Sequence, residues 1–222
     1  MNPNLRNSLS YNFNRAIVGF HTLFNCPCKE SIWEDINESI LTASGCVVTE
    51  MAAGGHASGR DMVCQPFGGL SNKSGSYATA ARTHVDISSY RLTTACSAAN
   101  HGSPDTICDE INRRKNFEYY SVVIREESDT EFRYDWFLLP SDLPVLNPRT
   151  YEWVPTIGQR GVNAGNVVGW HTNEINGSSM SITFSMSSQL WMRIHITDEI
   201  RALYLVGSAV AHRGRTCTLM GI

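Results

Sequence analysis

Near its C-terminal end the chain alternates twice: Met180, Ile182, Phe184 and Met186 stand at every second position, then Leu190, Met192, Ile194 and Ile196 do the same. A period of two sends alternate side chains to opposite faces of a sheet, so both stretches read as half-buried strands. Thr197 follows at once as a helix cap, ahead of Ile200, Leu203, Tyr204 and Val206 at helical spacing. A chain that changes period like this has to build a sheet and cover it with helices.

The same switch recurs upstream. Ser31-Ile32-Trp33-Glu34 reads as a capping box, and Ile32, Trp33, Ile36, Ile40 and Leu41 share one face until Gly45. Strand candidates cover Cys46 to Met51 and Val85 to Thr93, and Ser103-Pro104 opens a helix that runs to about Asn116. Tyr119 to Arg125 and Phe132 to Leu139 form a hairpin around Glu126-Glu127-Ser128-Asp129. From Pro140 to Gly177 the Pro, Gly and Asn content predicts a long irregular loop. The order of elements predicts an α/β fold, a central mixed β-sheet flanked by helices, as one domain over residues 1–222.

Composition narrows the classes. Hydrophobic residues at 42% and charged residues at 18% give a chain that can bury a core. No stretch of eighteen apolar residues exists, which predicts no membrane span, and the polar first twenty residues lack the apolar run of a signal peptide. A cytoplasmic location is therefore expected. Seven cysteines, an odd number, predict reduced thiols, and Cys26-Pro27-Cys28 lacks the spacing of a zinc knuckle. On that view the sequons at Asn37, Asn72 and Asn176 carry no sugar. The net charge of -3 announces no nucleic acid, but arginine supplies fifteen of the eighteen basic residues, and its planar fork suits phosphates and guanines.

Chemistry concentrates between His56 and Gly75. Asp61 opens one short strand candidate, Met62-Val63-Cys64, and Lys73 lies twelve residues later on a return strand that begins at Leu70-Ser71 after the Gly68-Gly69 turn. Antiparallel neighbours bring two such residues to a common point. A carboxylate there can hold Mg²⁺, which needs only one or two protein carboxylates plus phosphate. A nearby lysine can orient the attacking water or offset developing charge. Two other readings share these residues. Gly68 to Ser74 has the outline of a phosphate-binding loop for a nucleotide, although Asn72 and Phe67 stand where that motif requires glycine. The alternating strands would also serve a non-enzymatic β-rich interaction module.

Gly59-x-Asp61, a turn, then Ser71-x-Lys73-Ser74 resembles the PD-(D/E)xK nuclease signature, in the Ser-x-Lys form found among type II restriction endonucleases. Ile87-Ser88-Ser89-Tyr90-Arg91-Leu92 and Ser187-Ser188-Gln189-Leu190-Trp191 are similar to such enzymes too. The likeness spans roughly Glu30 to Leu92, with weaker echoes to Ile196. It implies a restriction-endonuclease-like core, Mg²⁺-dependent hydrolysis of double-stranded DNA, and a homodimer on a palindromic target, with no nucleotide cofactor. Asp61, Lys73 and Ser71 take the catalytic positions, and Asp61 also binds metal. Ser71 stands where the family carries a second acid, so a carboxylate from elsewhere is expected: Asp86, thirteen residues beyond Lys73, ahead of Glu50, with Glu38 on the first helix as a third choice. The Asn72 carbonyl is a further ligand candidate. For DNA contact the candidates are Arg91, Tyr90, Ser89 and Arg82, with Asn163, Asn166 and Arg160 in the Pro140 to Gly177 region. His56 and His84 are weaker candidates for metal or base.

Overall fold

The computed structural model describes residues 1–52, 59–97 and 100–213. Four helices cover an eleven-stranded sheet. They are α1 (Pro3–Leu23), α2 (Glu30–Ala43), α3 (Pro104–Arg114) and α4 (Asp198–Tyr204). The strands are β1 (Val47–Met51), β2 (Met62–Gln65), β3 (Gly68–Tyr77), β4 (His84–Arg91), β5 (Tyr119–Glu127), β6 (Glu131–Pro140), β7 (Trp153–Ile157), β8 (Val167–Thr172), β9 (Ser179–Thr183), β10 (Gln189–His195) and β11 (Leu205–His212). The order across the sheet is β11-β6-β5-β3-β4-β10-β9-β8-β7, with β2 on β3 and β1 on β2 as a branch. Among the described strands, β3 and β5 alone pair in parallel. The sheet is thus mixed and flanked by helices, an α/β arrangement. No helix among the described residues is long and apolar enough to cross a membrane.

Each face carries its own core. Leu9, Phe13 and Ile17 of α1 and Trp33, Ile40 and Leu41 of α2 pack on one face, against Val123, Tyr134, Trp136 and Val206. Ile107 and Ile111 of α3 pack on the other, against Val122, Ile124, Val85, Ile87 and Met192. Val122, Val123 and Ile124 therefore alternate between two cores, which is why β5 is buried from Tyr120 to Ile124. The rings of Phe13, Trp33 and Trp136 meet with centroids 5.5 to 5.9 Å apart and fasten both helices to β6.

Several expectations need correction. Ser31 lies inside the first turn of α2, whose N-cap is Lys29 with no side-chain hydrogen bond, so the capping box does not form. Residues 140–177 hold two strands, β7 and β8, and three single-turn 3-10 helices in place of an irregular loop. The last helix stops at Tyr204, so Val206 belongs to strand β11. The α1 helix has no counterpart in the sequence reading. Thr197 and Ser103 do cap their helices, accepting from the Ile200 and Thr106 amides. The six described cysteines are free thiols, and Cys217 lies outside the described residues. Asn37 and Asn72 are wholly buried, which closes those two sequons to glycosylation.

Candidate active site

Strand β3 makes a fork. One of its edges pairs with β5 from Leu70 to Ser76. On the other edge β2 takes Gly68 to Leu70 and β4 takes Gly75 to Tyr77. Between them, residues 71–74 have no strand neighbour on that side among the described residues, and a cleft that Asp61 and Lys73 line opens beside them. The cleft measures about 520 Å³ and has Lys29, Glu30, Ser31 and Glu34 of α2 on one wall and Ser88 to Arg91, Arg114 and Gln189 on the other.

The register of the β2–β3 hairpin sets the floor. Met62 faces Leu70, and the Asp61 amide donates to the Leu70 carbonyl at 2.8 Å, so Asp61 stands beside Ser71. Its Oδ2 accepts the Asn72 amide at 2.6 Å and a longer bond from Ser71 Oγ at 3.5 Å. Lys73 Nζ reaches three oxygens: the Asn72 carbonyl at 2.6 Å, Glu30 Oε1 at 3.1 Å and Asp61 Oδ2 at 3.7 Å. Gly59 supports this corner from below. Its amide donates to the Arg114 carbonyl at 3.2 Å, and a Cβ there would lie 2.4 Å from that oxygen, so no side chain fits.

Glu34 completes the floor. Burial, then the neighbouring charges of Asp61 and Glu30, push its carboxyl above the usual range, and Lys73 offsets only part of this. Three carboxylates, Asp61, Glu30 and Glu34, are thus crowded around Lys73. On the opposite wall Tyr90 is buried with its hydroxyl 2.8 Å from that of Tyr120, and burial raises it well above its ordinary value, so it stays a neutral phenol. Ser89 Oγ is buried with no hydrogen-bond partner among the described residues.

Asp61, Ser71, Asn72, Lys73, Ser89, Tyr90 and Arg91 are thus brought together, as the sequence suggests. The other candidates are not. Asp86 is held by two guanidinium nitrogens of Arg193 at 2.8 Å and does not line the cleft. Glu50 is exposed on β1 and bound by Arg60 at 2.8 Å. Glu38 lies a turn beyond Glu34, outside the cleft lining. Arg82 pairs with Glu126 at the far end of β4. His84 stacks on His195, with ring centroids 4.7 Å apart. Arg160, Asn163 and Asn166 sit in the β7–β8 connection, five strands from β3 at about 4.8 Å each, or roughly 24 Å. His56 lies outside the described residues. The phosphate-loop reading fails on geometry, because β3 runs straight through Lys73 to Tyr77 and no helix opens there.

Sequence reasoning missed Glu30 and Glu34. They lie four apart on α2, one step round from the buried stripe of Trp33 and Asn37, so they project past the helix edge. No group of three or more His, Cys, Asp or Glu side chains among the described residues is arranged to hold a metal alone. The donors present are hard oxygens, two side-chain carboxylates and a carbonyl, which suits a cation that keeps most of its waters. No protein-family model, no curated protein and no solved structure matches the chain.

Proposed function

We propose that the chain is a Mg²⁺-dependent endonuclease acting on double-stranded DNA, with a restriction-endonuclease-like core of the PD-(D/E)xK type. The observation that carries this is the fork: hairpin register sets the Asp61 carboxylate against the Asn72 amide with Lys73 Nζ 3.7 Å away, at the floor of an open cleft.

In this reading Asp61, the Asn72 carbonyl and Glu34 hold the cation, and Glu34 replaces Asp86 and Glu50 as the second carboxylate. When bound, the metal polarises the scissile phosphate and lowers the pKa of a coordinated water. Lys73, steered by Glu30, orients the attacking water and offsets the charge that develops on the phosphate oxygens. Ser71 Oγ holds Asp61 in its rotamer and contributes no ligand. Arg91, exposed on the cleft wall, is the partner for phosphate or base edges. A palindromic target would engage two chains related by a twofold axis.

The test is a panel of variants on supercoiled plasmid in Mg²⁺. Asp61→Ala and Glu34→Gln should each lower cleavage by about 100-fold or more, whereas Asp86→Asn and Glu50→Gln should stay within about fivefold of wild type. Loss with Asp86→Asn and retention with Glu34→Gln would reverse the assignment of the second carboxylate. A folded wild type that cuts no DNA would end the nuclease reading.

A further inference from the structure

A second groove of about 550 Å³ opens beside the cleft and shares Arg91 and Arg114 with it. Thr93, Thr94, Glu110, Arg113, Met186 and Ser187 line the rest. Three guanidinium groups face one carboxylate there. Glu110 takes two hydrogen bonds from Arg113, at 2.8 and 2.9 Å, and one from Arg114 at 2.6 Å. Those arginines hold its carboxyl down at about 2, so it remains ionised and neutralises a single charge. Arg114 is buried and fully engaged, with its other nitrogens on the Arg91 carbonyl at 2.8 Å and Thr94 Oγ1 at 3.2 Å. It is framework. Arg91 is exposed, and its guanidinium has no acidic partner among the described residues. Three guanidinium groups against one carboxylate leave the groove with two uncompensated positive charges next to the candidate catalytic floor.

The remaining wall is built to hold its shape. Ser185 Oγ accepts the Ser187 and Ser188 amides at 3.3 and 3.0 Å, and Ser188 Oγ donates back to the Ser185 carbonyl at 3.0 Å. The Leu92 amide donates to the Ser188 carbonyl at 3.1 Å, and Gln189 Nε2 to the Ser89 carbonyl at 2.8 Å, which staples the loop to the end of β4. Ser188 holds a left-handed φ of 36° to close the turn. At its tip Met186 is 97% exposed, an apolar side chain raised on a rigid support beside the arginines. A bare inorganic anion would have no use for that contact. A nucleic-acid strand has both parts, a charged phosphodiester and an apolar sugar or base next to it.

We infer that this groove is a subsite for a phosphodiester group neighbouring the one at the catalytic floor, with Arg91 and Arg113 on the phosphate and Met186 against the adjoining deoxyribose or base. The inference rests on the nuclease reading. Its continuity with the cleft through Arg91 means that a single strand can occupy both.

The test uses the full chain carrying Asp61→Ala, so that nothing is cut, and a fluorescently labelled DNA duplex of mixed sequence followed by anisotropy between about 50 and 200 mM salt. Adding Arg91→Ala should weaken binding about three- to tenfold and lower the slope of log affinity against log salt by about 1. Adding Met186→Ala should weaken binding and leave the slope unchanged. Arg133→Ala, which removes the same charge from a paired arginine on β6, serves as the control and should do neither. If the Arg91 and Met186 variants both bind like the Arg133 control, the subsite is refuted and the nuclease reading stands. If the Asp61→Ala protein binds no duplex at all, both fall together.

Discussion

Asn37 is where the account of the site is most exposed to a simple stability measurement. It lies wholly buried on α2, and its amide donates to Asn72 Oδ1 at 2.7 Å and to Ser121 Oγ at 3.0 Å. Asn72 is the residue whose backbone meets Asp61 and Lys73, so this bond ties α2 to β3. In Asn37→Ala the Asn72 oxygen loses its donor in a dry interior, which costs about 1–3 kcal/mol. Ser121 Oγ keeps the Trp136 indole N–H at 2.9 Å and adds little. One effect opposes the loss: Asn37 Oδ1 is itself buried without a partner, and the substitution removes that orphan. The cavity left behind works the other way, so a net loss of about 2 kcal/mol is expected. For a chain of this size each kcal/mol shifts Tm by about 2–4 °C, so melting should fall by roughly 4–8 °C. Thermal denaturation followed by circular dichroism reads this directly. Cleavage should fall as well, because Glu30 and Glu34 ride on the helix that loosens. A Tm unchanged within about 1 °C would refute the claim that this bond holds α2 on β3.

The remaining expectations concern single groups. Gly59→Ala forces a Cβ against the Arg114 carbonyl, costs about 1–3 kcal/mol and moves Asp61, so activity should fall further than stability; equal activity would show that Asp61 is positioned independently of that corner. Glu34 has a raised carboxyl pKa, so its contribution to stability is present below the usual carboxylate range and is lost as pH rises through the folded value. Glu34→Gln should therefore raise the Tm of the metal-free protein at pH 7 and lose that advantage near pH 4, about where an unperturbed Glu titrates; a lower Tm at pH 7 would contradict the charge crowding. His21 has the opposite sense, because burial against Phe132, 4.3 Å between ring centroids, lowers its pKa. Its contribution is present above the ordinary histidine value of about 6.5 and is lost as pH falls, so melting curves from pH 7 to 5 should decline more steeply in wild type than in His21→Gln.

Much of the frame is visible in local sequence. The β5–β6 hairpin, the Ser103-Pro104 start of α3 and the Thr197 cap each depend on neighbours a few residues apart, and each forms where those residues indicate. So does the pairing of Asp61 with Lys73, since a short hairpin fixes its own register. Helix α1 was hidden because its buried stripe, Leu9, Phe13, Ile17 and His21, is one residue wide and set among polar side chains. Asn2 and Pro3 did signal its start, as N-cap and first helical residue. The turn from α4 into β11 has no Gly or Pro, so apolar spacing ran on through Val206. The carboxylates that reach the cleft from α2 were illegible for a tertiary reason. Asp86 and Glu50 are near Lys73 and Asp61 along the chain, but sheet pairing gives each an arginine, while Glu30 and Glu34 arrive from a helix whose seat depends on Trp33 and Asn37 meeting Ser121.

The most direct measurement is digestion of several unmethylated DNAs by the purified chain, in Mg²⁺ and in EDTA, beside Lys73→Ala. Discrete fragments that require Mg²⁺ and vanish in a folded Lys73→Ala variant are the expected result, because Lys73 would then be doing the chemistry assigned to it. Intact DNA under every condition with a well-folded wild type, or fragments that persist undiminished in Lys73→Ala, would contradict the account.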